Sequence, residues 1–371
     1  MIAFEAATPF QIFNAINIYK GLDTKEGADL FVYTYATDLR KIAASLNNKS
    51  IFRKIYVIDK EPDKTRLKTL WSILFYKSFL NGCRDLDAYN SLYISYTGLH
   101  NLLLYNNLRS NNNQIKLYFY EDGVSSYYNN FLRYSYKVEW LCKLRGLKIE
   151  TKYIEAVFLY EPKLNKVNYP PHISIKKINP CSRQEVIDTV LNVYGVTENS
   201  ISQLNKYNCL YFDHNFRKYL NNDEFYFNFN QNKIVNSISE ITHQIMVKIS
   251  PLEDEKSCGY SGRYVQVSNF DKSPWEVLIY QDMNINNRCL ITVCSNAVIT
   301  PKSVFGKEPY VLILGKALYN EKLTNSTDVW TPKMDTYYME IKKLYNNPQK
   351  FCVAETIEEA IIFIKSLQWK N

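Results

Sequence analysis

The chain has no run of about 18 apolar residues, which excludes a transmembrane helix. It has no Cys-x-x-Cys pair. Its eight cysteines, at 83, 142, 181, 209, 258, 289, 294 and 352, are scattered, which argues against a zinc site or a disulfide framework and suits a reducing compartment. Most are expected to be small core residues. Neither sign of charge forms a long block, no segment is low in complexity, and no repeat recurs at a fixed period. The amino terminus, MIAFEAATPFQIFNAINIYK, lacks the basic head and cleavage signature of a secretory signal. A cytoplasmic location is therefore expected, with the inner face of the membrane as the alternative.

What is present points to a folded enzyme-sized protein. The 371 residues are 46% hydrophobic and 15% aromatic, with 31 tyrosines, so disorder is excluded and two domains with proper cores are expected. Lys and Arg number 45 against 37 Asp and Glu, a net charge of +8. That balance suits an anionic substrate or an anionic membrane surface. A nucleic-acid partner is not expected, because the charges are dispersed and no recognised module is present.

The first half alternates apolar runs with helical patterns. IAFEA (2–6), DLFVYTYA (29–36), KIYVID (54–59), SLYISYTG (91–98), IKLYFYEDG (115–123) and AVFLYEP (156–162) are candidate strands. Helical stretches are expected at 10–19, 39–46, 63–80 and from Leu99. This is the signature of βαβ units on a parallel sheet. Residues 163–182, rich in proline and lysine, read as a linker. The rhythm resumes with a helix from Arg183 to Tyr194 and the strands CLYFDHN (209–215), IMVKISP (245–251), YVQVS (264–268), CLITVCSNA (289–297) and YVLILG (310–315). The expected domains are thus 1–162 and 183–350, both Rossmann-like, followed by a carboxyl-terminal helix within 351–371. In open α/β sheets, ligands bind at the carboxyl ends of the strands, so a central cleft between the two domains is expected. Nucleotide-sugar glycosyltransferases of the GT-B kind have this shape.

Three strand ends carry candidate chemistry. Glu121, Asp122 and Gly123 follow the fifth strand. Two adjacent carboxylates there could take a proton from a hydroxyl, with pKa values raised by burial and by each other; the alternative is an acidic turn. Lys248, Ser250 and Pro251 end a buried-looking strand, and Ser295 and Asn296 end another. Hydroxyl and amide groups beside the N–H groups of a following helix suit a phosphate; the alternative for a serine is a helix cap. His214 is a candidate donor or a turn residue, whereas His243 precedes its strand and should lie at the opposite end of the sheet. His100 and His172 have no chemical partner nearby in sequence. The basic residues at 133, 137, 143, 145 and 148 read as a solvated face, or as a track for an anionic glycan or a lipid surface.

Taken in order, these motifs resemble those of the bacterial sialyltransferases of glycosyltransferase family 52 and the related polysialyltransferases. The resemblance rests on Thr8-Pro9-Phe10-Gln11, Glu121-Asp122-Gly123, Lys248-Ile249-Ser250-Pro251, Ser273-Pro274-Trp275-Glu276 and Ser295-Asn296, spread over residues 2–320. It implies a metal-independent, inverting transfer of sialic acid from CMP-sialic acid to a hydroxyl of a capsule or lipooligosaccharide glycan, without a cofactor. By it, Glu121 is the general base and Asp122 tunes it. Ser295 and Asn296 hold the departing phosphate, Glu276 binds the ribose, and Thr8, Pro9, Gln11 and Gly123 line the donor site. The family's histidine is Ser250 here, and its second hydroxyl residue is Asn296. A serine can donate to phosphate but carries no positive charge, so Lys248, Lys256, Arg263 or His214 would have to compensate. Another nucleotide sugar, or a silent nucleotide- or glycan-binding paralogue, are the alternative readings.

Overall fold

The computed structural model describes residues 1–34, 38–59, 65–83, 85–130, 139–213, 224–249, 260–268, 274–323 and 330–367. His214, Ser250, Pro251 and Lys256 lie outside these residues, as does Ser273. The chain forms two compact units, Met1–Val193 and Tyr194–Asn371.

The first unit is built on seven parallel strands: β1 (Ile2–Ala6), β2 (Ala28–Tyr33), β3 (Lys54–Ile58), β4 (Ser91–Ile94), β5 (Lys116–Tyr120), β6 (Ile154–Leu159) and β7 (Ser174–Lys177). Their order is β3-β2-β1-β4-β5-β6-β7. The central strands β1 and β2 are buried at every position, as expected for strands covered on both faces, and this explains their near-continuous apolar sequences. The helix Pro9–Gly21 starts where the sequence says it should. Thr8 accepts from the Gln11 N–H, the Gln11 side chain accepts back from the Thr8 N–H, and Pro9 fills the first turn.

The second unit carries β8 (Cys209–Phe212), β9 (Ile245–Lys248), β10 (Val265–Ser268), β11 (Cys289–Thr292), β12 (Tyr310–Ile313) and β13 (Phe351–Val353), all parallel, in the order β10-β9-β8-β11-β12-β13. Both sheets therefore reverse their winding once, between β1 and β4 in the first and between β8 and β11 in the second. At such a switch the connections leave in opposite directions and open a crevice at the strands' carboxyl ends.

Two expectations about organisation need correction. The segment expected as a linker contains β7, which extends the first sheet beside β6, and the unit boundary falls after Val193. All four β7 residues, Ser-Ile-Lys-Lys, are exposed, so the apolar pattern that marks a strand is missing from this edge. Likewise, residues 351–367, expected to follow the second domain, are part of its sheet and core. Phe351–Val353 pair with β12, and Ala360 and Ile364 of the helix Ile357–Ser366 enter the core of the second unit.

Of the cysteines, Cys142, Cys209, Cys289 and Cys352 are buried, and the seven described are all free thiols. Among the described residues, no helix is long and apolar enough to cross a membrane.

Candidate active site

The first unit gathers three carboxylates at the carboxyl end of its sheet. Glu121 follows β5 directly and is 5% exposed. Its Oε2 accepts from the Tyr127 hydroxyl at 2.5 Å and from the Tyr160 N–H at 2.9 Å. Burial pushes its carboxyl up to about 7; the bonds from Tyr127 and Tyr160 work against that, and the charges of Glu161 and Asp122 add to it. Asn14, from the helix Pro9–Gly21, donates to the Glu121 carbonyl at 2.9 Å and accepts from the Tyr160 hydroxyl at 2.7 Å. The backbone of the acidic turn is therefore held from both sides.

Asp122 is only half-buried. Its N–H donates to Ser126 Oγ at 2.8 Å. Desolvation raises its carboxyl to about 7, opposed by a hydrogen bond from the Gln11 side chain and reinforced by the charge of Glu5. Gly123 follows at φ +98°, ψ −163°. A side chain there would be strained, which is why the acidic pair ends in glycine.

Glu5, on β1, is fully buried and was missed by sequence reasoning. Its Oε2 accepts from both the N–H and the hydroxyl of Ser95 at 3.2 Å, and its Oε1 lies 3.4 Å from His100 Nε2. Ser95 directly follows β4, and His100 stands in the first turn of the helix Leu99–Asn111. The pairing spans the β1–β4 switch: His100 has no partner nearby in sequence, and the one it meets is ninety-five residues away. Gly98 makes room for it, since a Cβ there would lie 2.7 Å from His100 Cε1. The available signal was a lone carboxylate inside the apolar strand IAFEA.

In the second unit, the ends of β8, β9 and β11 converge with the turn Trp275–Leu278. Thr292 Oγ1, on β11, donates to the Phe212 carbonyl of β8 at 2.9 Å and accepts from the Ser295 N–H at 2.9 Å. The Trp275 indole donates to the Ala297 carbonyl at 2.8 Å and packs edge-on against Phe212. Ser295 is a cap: its Oγ accepts from the Ala297 N–H at 3.3 Å, opening the short 3-10 turn Asn296–Val298. The cap alternative therefore describes its local role. Lys248 ends β9, nearly buried, and burial lowers its ammonium to about 8 while Glu276 pulls it back up. Glu276, half-buried, is raised by the same desolvation and lowered by Lys248. Lys248, Glu276, Ser295 and Asn296 therefore belong to one end of one sheet. Arg263, exposed before β10, stacks its guanidinium over Tyr264, 5.3 Å from the ring centre.

Beside this cluster sits a hydrogen-bonded knot at the end of β8. Gln231 donates to Asp213 Oδ1 at 3.0 Å and to the Tyr211 and Tyr260 hydroxyls, and the Tyr260 hydroxyl donates to Asp213 at 2.8 Å. Asp213 immediately precedes His214. Among the described residues, no group of three or more His, Cys, Asp or Glu side chains is arranged to hold a metal ion.

No protein-family model matches the chain, and no curated protein matches its sequence. Solved structures share its fold. A putative UDP-N-acetylglucosamine 2-epimerase from Listeria monocytogenes is 12% identical with a TM-score of 0.50, over 98% of this chain and 95% of that one. The UDP-GlcNAc 2-epimerase of Methanocaldococcus jannaschii is 12% identical with a TM-score of 0.48, over 98% and 99%. Phytolacca americana UGT2, solved with UDP-2fluoro-glucose and pterostilbene, is 9% identical with a TM-score of 0.47, over 99% and 93%. At such identities the likeness speaks for the fold alone. The fold is the GT-B-like α/β class with two parallel-sheet domains.

Proposed function

We propose that this protein is an inverting glycosyltransferase that moves a sugar from a CMP-activated donor, most simply CMP-sialic acid, to a hydroxyl of a surface glycan. The carrying observation is the acid cluster at the end of β5, where two adjacent carboxyls stand at the carboxyl edge of a parallel sheet and burial pushes both up to about 7. A carboxylate with that pKa is matched to removing a proton from a hydroxyl at neutral pH. In the second unit, taken by itself, a lysine, a carboxylate and the Ser295–Asn296 turn offer contacts to a nucleotide monophosphate. The motif order of glycosyltransferase family 52 supports the same reading.

Within that reading, we assign proton abstraction to Asp122 in place of Glu121. Glu121 is the more enclosed, and its Oε2 already serves Tyr127 and Tyr160. Asp122 is the less enclosed and has Gln11 beside it. Glu121 then fixes the turn. Lys248, largely protonated at neutral pH, supplies the positive charge that Ser250 does not.

The test has two arms. Thermal stability is titrated against CMP, UMP, UDP and GDP, and CMP alone should raise the melting temperature strongly, since binding to the folded state adds stability. Uridine nucleotides are the first competitors, and stabilisation by UDP but not CMP overturns the donor assignment. CMP-sialic acid should then release CMP in the presence of an acceptor. Asp122→Asn should lower that rate at least 100-fold with CMP binding retained. If Glu121→Gln abolishes transfer while Asp122→Asn does not, the base is Glu121.

A further inference from the structure

The helix Arg66–Leu74 turns its apolar residues outward. It buries only Thr69 and Ile73, whereas Leu67 is 70% exposed, Trp71 62%, Leu74 42% and Phe75 52%. Positions 67, 71, 74 and 75 recur at the spacing of one helix face, and Trp71 and Phe75 stack with ring centres 4.7 Å apart. A second exposed pair adjoins it. On the helix Glu139–Leu144, Cys142 is buried while Trp140 is 61% exposed and Leu144 74%. The two helices are tied together, because the Arg145 guanidinium donates to the Leu74 carbonyl at 2.9 Å. These two linked helices of the first unit thus expose two tryptophans, a phenylalanine and three leucines.

Among the described residues of these segments, the exposed charges are mostly positive. Arg66, Lys68, Lys77, Lys143 and Arg145 are all exposed. Glu139 is the acid on the second helix, and it pairs with Lys143 at 2.8 Å. Aromatic side chains ringed by lysine and arginine match the interface of an anionic bilayer, where rings settle among the headgroups and cations meet phosphates. A second copy of the chain would bring the same positive rim against itself. A soluble polyanion would satisfy the cations but leave six apolar side chains in water.

We infer that this face, formed by the helices Arg66–Leu74 and Glu139–Leu144, docks the protein on anionic phospholipid. The inference is independent of the donor and acceptor assignments. Of the basic residues read from sequence as a solvated face, or as a track for an anionic glycan or a lipid surface, Lys143 and Arg145 lie here, whereas Arg133 and Lys137 fall outside the described residues.

The experiment is cosedimentation of the full chain with vesicles of phosphatidylcholine alone and with added phosphatidylglycerol, at low and high salt. Binding is expected to the mixed vesicles, weakened by salt. Trp71→Ser with Phe75→Ser, and separately Trp140→Ser with Leu144→Ser, should each cut the partition coefficient about tenfold or more. Neutralising Lys68 and Lys77 as glutamines should cost about fivefold per charge. Because these side chains are exposed, the variants should keep the wild-type circular dichroism and thermal midpoint. The inference is overturned by no binding to phosphatidylglycerol vesicles at low salt, by binding of all variants at wild-type strength, or by retention on a soluble polyanion without any vesicle binding. A concentration-dependent dimer that the tryptophan variants abolish, with no lipid binding, would mark the face as a self-interface and overturn it equally.

Discussion

Replacing Tyr127 by phenylalanine tests the electrostatics of the acid cluster without touching a carboxylate. The hydroxyl donates to Glu121 Oε2 at 2.5 Å and accepts from the Glu161 N–H at 3.2 Å. Tyr127 is buried, so water does not replace what is lost. A hydrogen bond to a neutral group contributes about 1 kcal/mol and one to a charged group about 1.5–3 kcal/mol. Below the Glu121 pKa the acid is protonated, and the substitution should cost about 1 kcal/mol. Above it the bond served a carboxylate, and the cost should reach about 2–3 kcal/mol. The difference corresponds to an upward pKa shift of about one unit, moving Glu121 away from its present value near 7. The sign follows from linkage. Glu121 already holds a proton in the folded state at pH values where the unfolded chain releases it, so wild-type stability falls as pH rises from the ordinary glutamate range through about 7. The variant extends that fall to higher pH and makes it deeper. Urea unfolding of both proteins across the acid-to-alkaline range reads the cost, and carbon-13 carboxyl titration by NMR reads the shift. A cost that is constant across that range, or a Glu121 resonance that titrates at lower pH in the variant, would refute the reasoning.

Two further outcomes follow from the same geometry. Glu5→Gln removes a negative charge that raises Asp122, so the acidic limb of the transfer pH profile should move about one unit lower; the groups facing Glu5 and Asp122 are His100, Tyr120 and Glu121, and the profile should be read against a His100→Gln control. In the second unit, Arg288→Met leaves Asp282 buried without the guanidinium that binds it at 2.6 and 3.1 Å, which should cost about 3–5 kcal/mol in urea unfolding, with partial recovery in the Arg288→Met, Asp282→Leu double variant.

Much of this architecture is legible in the sequence because the buried parallel strands are almost purely apolar. IAFEA and YVLILG mark β1 and β12 to within two residues, and CLITVCSNA begins with β11 at Cys289 but runs past its end at Thr292. The acidic pair after β5 is legible for the same reason: a charge that follows an apolar run lies at a strand's end. The relation between Glu5 and His100 is not legible, because it depends on β1 lying beside β4, a matter of sheet order that no local pattern encodes. The edge strand β7 escapes for the opposite reason, since all four of its residues are exposed and burial demands no apolar side chains. The helices Glu224–Thr242 and Pro332–Leu344 were overlooked because their asparagines, tyrosines and lysines blur the apolar stripe. Thr331, capping the latter through the Met334 N–H, was the available mark.

That polar edge has a consequence for how the molecule behaves in a crowded solution. A sheet rim is an open ladder that a neighbouring chain could join. Here the terminal rung carries Lys176 and Lys177, one of them laid across the Phe158 ring of the adjoining strand. An intruding strand would have to displace that stem and bury an ammonium group, so the lysines act as gatekeepers against intermolecular pairing.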